Sequence, residues 1–107
     1  MFSYFIVKEH SMEPSCREGD FVFVNKMSYL FFRPKVGQLV VLKDPTDPFR
    51  LILKRITAAK NPFFWVEGDN KEESIDSRHF GWVRSKVLLG QAKVIHKTGL
   101  LGRSIMK

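Results

Sequence analysis

The sequence predicts a mostly β fold, a small coiled sheet or barrel-like core with little helix. Three observations carry that expectation. Short runs rich in Phe, Val and Ile recur along the 107 residues, Gly, Pro, Asn and Asp punctuate them, and only residues 26–32 and 85–89 read as helical turns. The chain begins with Phe2–Lys8, an aromatic and β-branched run. Glu18-Gly19-Asp20 turns it into Phe21–Asn25, a second compact strand. Lys26–Phe32 is a turn of helix or a loop, closed by Arg33-Pro34. After Gly37 comes the strand Leu39–Lys43, and Asp44-Pro45-Thr46-Asp47-Pro48 is a turn or loop whose two prolines deny ladder donors. Arg50–Ala59 resumes as strand until Asn61-Pro62 breaks it, and Phe63–Glu67 follows. The span from Gly68 to Gly81 is a polar loop, Ser85–Leu89 a single turn before Gly90, and Gln91–His96 the last strand.

Composition narrows the function classes. Residues 1–98 read as one small domain and 99–107 as a tail, with no internal repeat and no linker. No apolar run approaches the roughly 20 residues of a membrane span, and Met1–Val7 lacks the basic start and small-residue cleavage site of a signal peptide. A lone Cys16 excludes an intrachain disulfide and multi-cysteine metal sites, and three scattered His give no metal spacing. The net charge of +7 lies entirely past residue 76, in Arg78, Arg84, Lys86, Lys93, Lys97, Arg103 and Lys107. None of the 11 acids lies there, so residues 1–76 are neutral. Phe31, Phe32, Phe63, Phe64 and Trp65 fall in the neutral part. Aromatics are therefore not interleaved with the net charge as a nucleic-acid surface demands, and no nucleic-acid partner is expected.

Three features could carry chemistry. Ser11-Met12-Glu13-Pro14 follows the first strand, where rigid backbone presents a serine hydroxyl; ordinary turn chemistry produces the same pattern. Along the strand around residue 54, a period of two puts Ile52, Lys54 and Ile56 on one face and Leu51, Leu53 and Arg55 on the other. Lys54 between two apolar neighbours is either a desolvated base of lowered pKa or a lysine snorkelling at a strand edge. The third feature, Gly68 to Gly81, concentrates Asp69, Asn70, Ser74, Asp76 and Arg78 between glycines. Ser74 can hold a lysine amine and an Asp76–Arg78 pair can brace the loop, although a surface loop that binds nothing has similar composition.

Taken together, Ser11-Met12-Glu13-Pro14 with Glu18-Gly19-Asp20, then Lys54-Arg55-Ile56, then Gly68-Asp69-Asn70 through Ser74, Asp76-Ser77-Arg78 and Gly81 resemble the ordered motifs of type I signal peptidases. The resemblance runs from about Val7 to Gln91. It is closest to the family's short members, among them the maturation proteases of nickel superoxide dismutase and the mitochondrial inner-membrane peptidases. It implies a serine endopeptidase that removes an N-terminal leader from a protein precursor. Ser11 would be the nucleophile and neutral Lys54 the general base, 43 residues later. Ser74 would orient the amine, Asp76 and Arg78 would support the loop, and Met12 would pack beneath the site. No cofactor or metal is implied. With no anchor in this sequence, the expected location is the cytoplasm or the periphery of a membrane.

One position departs from the family pattern. Two residues before the nucleophile the family usually has Ser or Gly, where a hydroxyl can serve the oxyanion; here stands Glu9. A non-catalytic binding module on the same fold is the competing reading, and an adaptor using the basic C-terminal segment a weaker third. His10 adjoins Ser11 but alternation sends it to the opposite face. His79 and His96 read as surface residues, and Cys16 as a small buried hydrophobe rather than a thiol nucleophile.

Overall fold

The computed structural model describes residues 2–96. Seven strands form one antiparallel sheet: β1 (Phe2–Ile6), β2 (Phe21–Asn25), β3 (Leu39–Asp44), β4 (Asp47–Lys60), β5 (Phe63–Glu67), β6 (Val83–Arg84) and β7 (Leu88–Ile95). Their order across the sheet is β1-β2-β7-β3-β4-β5-β6, so among the described residues the sheet is open, with β1 and β6 at its edges. Two one-turn helices, α1 (Ser28–Phe31) and α2 (Ser77–Phe80), and two 3-10 turns, Lys71–Glu73 and Ser85–Val87, complete it. The mostly β expectation holds in its coiled-sheet form. No helix among the described residues is long and apolar enough to cross a membrane. The tail expected at 99–107, with Lys97, Arg103 and Lys107 of the basic end, lies outside the described residues.

The middle strand β3 shows why the core divides. Its unbroken Leu-Val-Val-Leu run is buried on both faces. Adjacent residues of a strand point oppositely, so Val40 and Leu42 enter one cluster with Ile52, Ile56, Phe64 and Val66, while Val41 joins Met12, Cys16, Val22, Val24 and Ala92 in the other. Burying each such Val, Leu or Ile contributes roughly 1.5–3 kcal/mol before entropy is charged against it. Long β4 bridges the two clusters and carries Lys54.

Two local expectations need correction. The loop at 44–48 shrinks to Pro45-Thr46, because Asp44 Oδ1 accepts both the Thr46 N–H (2.8 Å) and its hydroxyl (2.7 Å) and β4 already starts at Asp47. Pro48 is tolerated there because the ladder jumps from Lys43↔Leu51 to Asp44↔Asp47, leaving Pro48–Arg50 in a bulge that asks no donor of it. The turn expected to run to Leu89 ends at Val87, and Gly90 lies inside β7. A Cβ at Gly90 would stand 2.2 Å from the Asn25 carbonyl oxygen, so glycine marks a close backbone approach within the sheet, not a turn.

Candidate active site

Alternation along β4 decides the fate of its lysine. Ile52, Lys54 and Ile56 point inward and Leu51 outward; Lys54 is 2% exposed and among the largest fully buried side chains. Burial disfavours the ammonium and lowers its pKa from 10.5 to about 8. The Asp76 and Asp44 charges pull the other way, and the Arg50 and Arg78 charges add to the lowering. Nζ donates to Ser74 Oγ at 3.1 Å, and Ser74 Oγ donates to Asp76 Oδ2 at 2.8 Å. Ser74 has one proton, and it is committed to Asp76. Its oxygen therefore meets the lysine as acceptor, which fixes Nζ through an N–H and leaves the lone pair of a neutral amine free to point elsewhere.

Asp76 is fully buried and organises the loop. Burial alone would raise its pKa. Hydrogen bonds from Arg78 Nε and Nη2 (3.0 and 2.8 Å), the Gly68 N–H (2.8 Å), Ser74 and the Arg78 N–H (3.0 Å) overcome that and hold the carboxyl well below the usual carboxylate range. The carboxylate also caps α2, whose Ser77 hydroxyl accepts the Val66 N–H at 2.8 Å and ties the loop to β5.

The serine arrives from the other direction, on the turn after β1. The Cys16 N–H donates to the Met12 carbonyl at 2.9 Å, and the Asn70 N–H donates to the Ser11 carbonyl at 2.8 Å. Gly68 lies between the two serines: a Cβ on it would stand 2.1 Å from Ser74 Oγ and 2.6 Å from the Ser11 carbonyl oxygen. Only glycine permits that approach. The loop from Gly68 to Gly81 thus contacts both candidates, Ser11 through Asn70 and Lys54 through Ser74. Both are buried, and they do not hydrogen-bond to each other directly in this conformation. Met12 packs beneath, its sulfur accepting the Asp69 N–H at 3.4 Å. Beside Ser11 a cleft of about 280 Å³ runs between Ile6–Glu9 on one wall and Leu51–Leu53 of β4 on the other.

A family model described as signal peptidase, peptidase S26, matches residues 1–60 and 59–97. The chain belongs to the S26 signal peptidase family. It is 32% identical over 101 residues to the human mitochondrial inner membrane protease subunit 1, an alignment covering 76% of this chain and 61% of that protein. Subunit 2 of the same protease in mouse is 30% identical over 108 residues, covering 80% and 62%. Signal peptidase I of Aquifex aeolicus is 39% identical over 54 residues, covering 50% of this chain and 21% of that protein. The chain spans about 61% of the length of the human and mouse subunit 1 proteins.

Within this signal peptidase family chain, several residues outside the expected set hold the site. Arg55 grips Asp69 with Nε and Nη2 (3.0 and 2.8 Å) and reaches the Gly37 carbonyl with Nη1 (2.9 Å), while Ser15 Oγ donates to Asp69 at 2.5 Å. The Arg55 bonds come first among the causes that push the Asp69 carboxyl down. Asn70 Nδ2 donates to the His10 carbonyl at 3.0 Å. Arg55, Asp69 and Asn70 stood in the quoted motifs without a role; they join the two ends of the site. Glu9 forms an ion pair with Arg50, which alternation within one strand could not reveal because Glu9 lies in the segment after β1 and Arg50 on β4. His10 lies beyond the end of β1, so strand alternation does not place it; its ring is engaged by Glu13 at 2.5 Å, and that hydrogen bond raises its pKa. His96 pairs with buried Asp20 at 3.0 Å. Cys16 is fully buried, and desolvation, then the Asp20 charge, pushes its thiol up to about 11.

Proposed function

We propose that this chain is a serine endopeptidase that removes an N-terminal leader or signal peptide from a protein precursor, with Ser11 as nucleophile and Lys54 as general base. The observation that carries this is the state of Lys54: a lysine buried to 2% exposure, lowered to about 8, and held by a serine whose proton points away from it. A surface lysine has no use for such an arrangement, whereas a general base near neutral pH requires it. The relatives named as inner membrane protease subunits and signal peptidase I support the same reaction class.

In the proposed reaction the substrate lies extended in the cleft beside Ser11. Neutral Lys54 takes the Ser11 proton as Oγ attacks the scissile carbonyl carbon, and the Ser11 backbone N–H stabilises the oxyanion. The lysine ammonium then protonates the departing amine, leaving the leader as an ester on Ser11. Water, deprotonated by the same amine, hydrolyses that ester. A base that is already neutral needs no carboxylate behind it, so Asp76 acts through Ser74 and the loop, not on the proton. A superoxide dismutase precursor is the first substrate to assay. The cytoplasm or a membrane surface contacted peripherally is the proposed place of action.

Cleavage of a leader-bearing precursor by wild-type, Ser11→Ala and Lys54→Ala proteins tests the proposal. Each substitution abolishes cleavage while the circular dichroism spectrum is retained; cleavage persisting in both overturns the dyad. Glu9, which offers no donor and is engaged by Arg50, favours the second reading of a weakened, binding-only module. Glu9→Ser separates the two: turnover rises if a missing oxyanion donor limits an active enzyme, and a protein that binds the leader yet cleaves in neither form is the module.

A further inference from the structure

We propose that Glu9 is a specificity residue whose carboxylate receives a basic side chain, Lys or Arg, from the leader segment seated beside Ser11. This rests on the reading of that cleft as the substrate cleft, and deepens it by naming the charge the leader carries there.

The walls of the cleft are mostly apolar. Phe5, Ile6 and Val7 on one side and Leu51, Ile52 and Leu53 on the other give a leader no polar anchor through their side chains. Glu9 is the one carboxylate among the described residues that line the cleft, and it precedes Ser11 by two positions. An ionised carboxylate only accepts hydrogen bonds, so it does nothing for a developing oxyanion. What it does attract is a cation.

The structure already seats one there. Arg50 Nη2, from the far wall of the cleft, pairs with Glu9 Oε1. Arg50 belongs to the bulge Pro48–Arg50 and adjoins the lining residue Leu51. Both side chains are about half exposed, and exposed pairs of this kind are weak. A basic side chain of a bound leader can therefore replace Arg50, whose guanidinium moves into water, so the ion pair is exchanged and not lost. An acidic side chain could take Arg50 only by leaving Glu9 beside a second negative charge. The Arg50 charge also reaches Lys54 and lowers its pKa; a leader cation at Glu9 acts in the same direction and favours the neutral base. Lys8, exposed on the same wall, opposes an incoming cation. Glu9 therefore works against two neighbouring cations, and removing either one moves the preference in a known direction.

Leader peptides that differ only in carrying Lys, Gln or Glu, placed in turn at each of the four residues before the scissile bond, test this. The ratio of kcat/KM between peptides is read within each variant, so a change in the chemical step common to all peptides cancels. At one position the Lys peptide is favoured over its Gln counterpart about fivefold, through KM, and the factor shrinks with added salt. Glu9→Gln removes the preference and Glu9→Lys turns it toward the Glu peptide. Arg50→Gln and Lys8→Gln, each removing a competing cation, widen it. These side chains are exposed, and retained circular dichroism shows that the variants fold. Fluorescence anisotropy of the same labelled peptides with Ser11→Ala gives the same order of affinities. If the wild type cleaves none of them, the endopeptidase reading fails, while the affinity order still decides the role of Glu9. Equal affinity for the three peptides at all four positions, a preference for Glu that is lost in Arg50→Gln, or a Lys preference kept in Glu9→Gln overturns the proposal.

Discussion

Replacing Lys54 by Met should abolish proteolysis and at the same time make the protein more stable. A lysine whose pKa is 10.5 when unfolded and about 8 when folded binds its proton more tightly in the unfolded chain. The native state therefore carries a penalty that is complete below pH 8 and fades as pH rises toward 10.5. At about 1.4 kcal/mol for each tenfold change in the protonation equilibrium, that penalty is about 3 kcal/mol at pH 7 and about 1.5 kcal/mol at pH 9.5. Met matches the length of the apolar stem. It leaves Ser74 still bonded to Asp76, so no buried polar group is orphaned. Urea unfolding of wild type and Lys54→Met at the two pH values measures the effect. A variant more stable by about 2–3 kcal/mol at pH 7, with the advantage roughly halved at pH 9.5, is the expected result. Equal stability, or an advantage independent of pH, would refute the claim that Lys54 is held against its preferred charge.

The same lysine sets the pH profile: kcat/KM on a leader peptide should climb with pH and be half-maximal near 8. At pH 7 about one molecule in ten carries the neutral base, against about one in 3,000 for an ordinary lysine; a limb centred above 10 would contradict this. Asp76→Asn removes a fully buried carboxylate bonded by Arg78, Gly68 and Ser74 and should cost about 3 kcal/mol at pH 7. Because that carboxyl is depressed in the fold, its stabilisation is present above pH of about 4 and lost below it. The gap between wild type and variant in chemical denaturation should therefore close in acid. Gly68→Ala would press a methyl group against Ser74 Oγ and the Ser11 carbonyl. Activity should fall more than stability, which overpacking of this kind lowers by about 1–3 kcal/mol. Retained kcat would show that the two serines need not be so close.

Much of this was legible in the sequence because short-range rules governed it. Alternation grouped Ile52, Lys54 and Ile56 on one face of β4 and left open a buried or a snorkelling lysine; the fold turns that face inward and buries Lys54 with its two apolar neighbours. The polar segment from Gly68 to Gly81 was visible as one that needs partners. Its internal bonds, Ser74 and Arg78 to Asp76, span only two residues each. What was not legible depends on contacts between distant strands. Gly90 reads as a turn until the Asn25 carbonyl is seen against it, and Pro48 reads as a strand breaker until the ladder is seen to skip it. The two-residue β6 is too short to have a pattern of its own and exists through its pairing with β5. Likewise the Arg55–Asp69–Ser15 cluster and the Glu9–Arg50 pair join surfaces that only the fold brings together.

The central claim is that Ser11 becomes covalently attached to the substrate. Acid-quenched intact-mass spectrometry during turnover of a leader peptide measures this directly, with peptide mapping to locate the adduct. The expected result is a mass increase equal to the leader acyl group, located on Ser11, lost with time as water releases it, and absent from Ser11→Ala. Cleavage that proceeds at the wild-type rate in Ser11→Ala, or an adduct mapped to another residue, would contradict it.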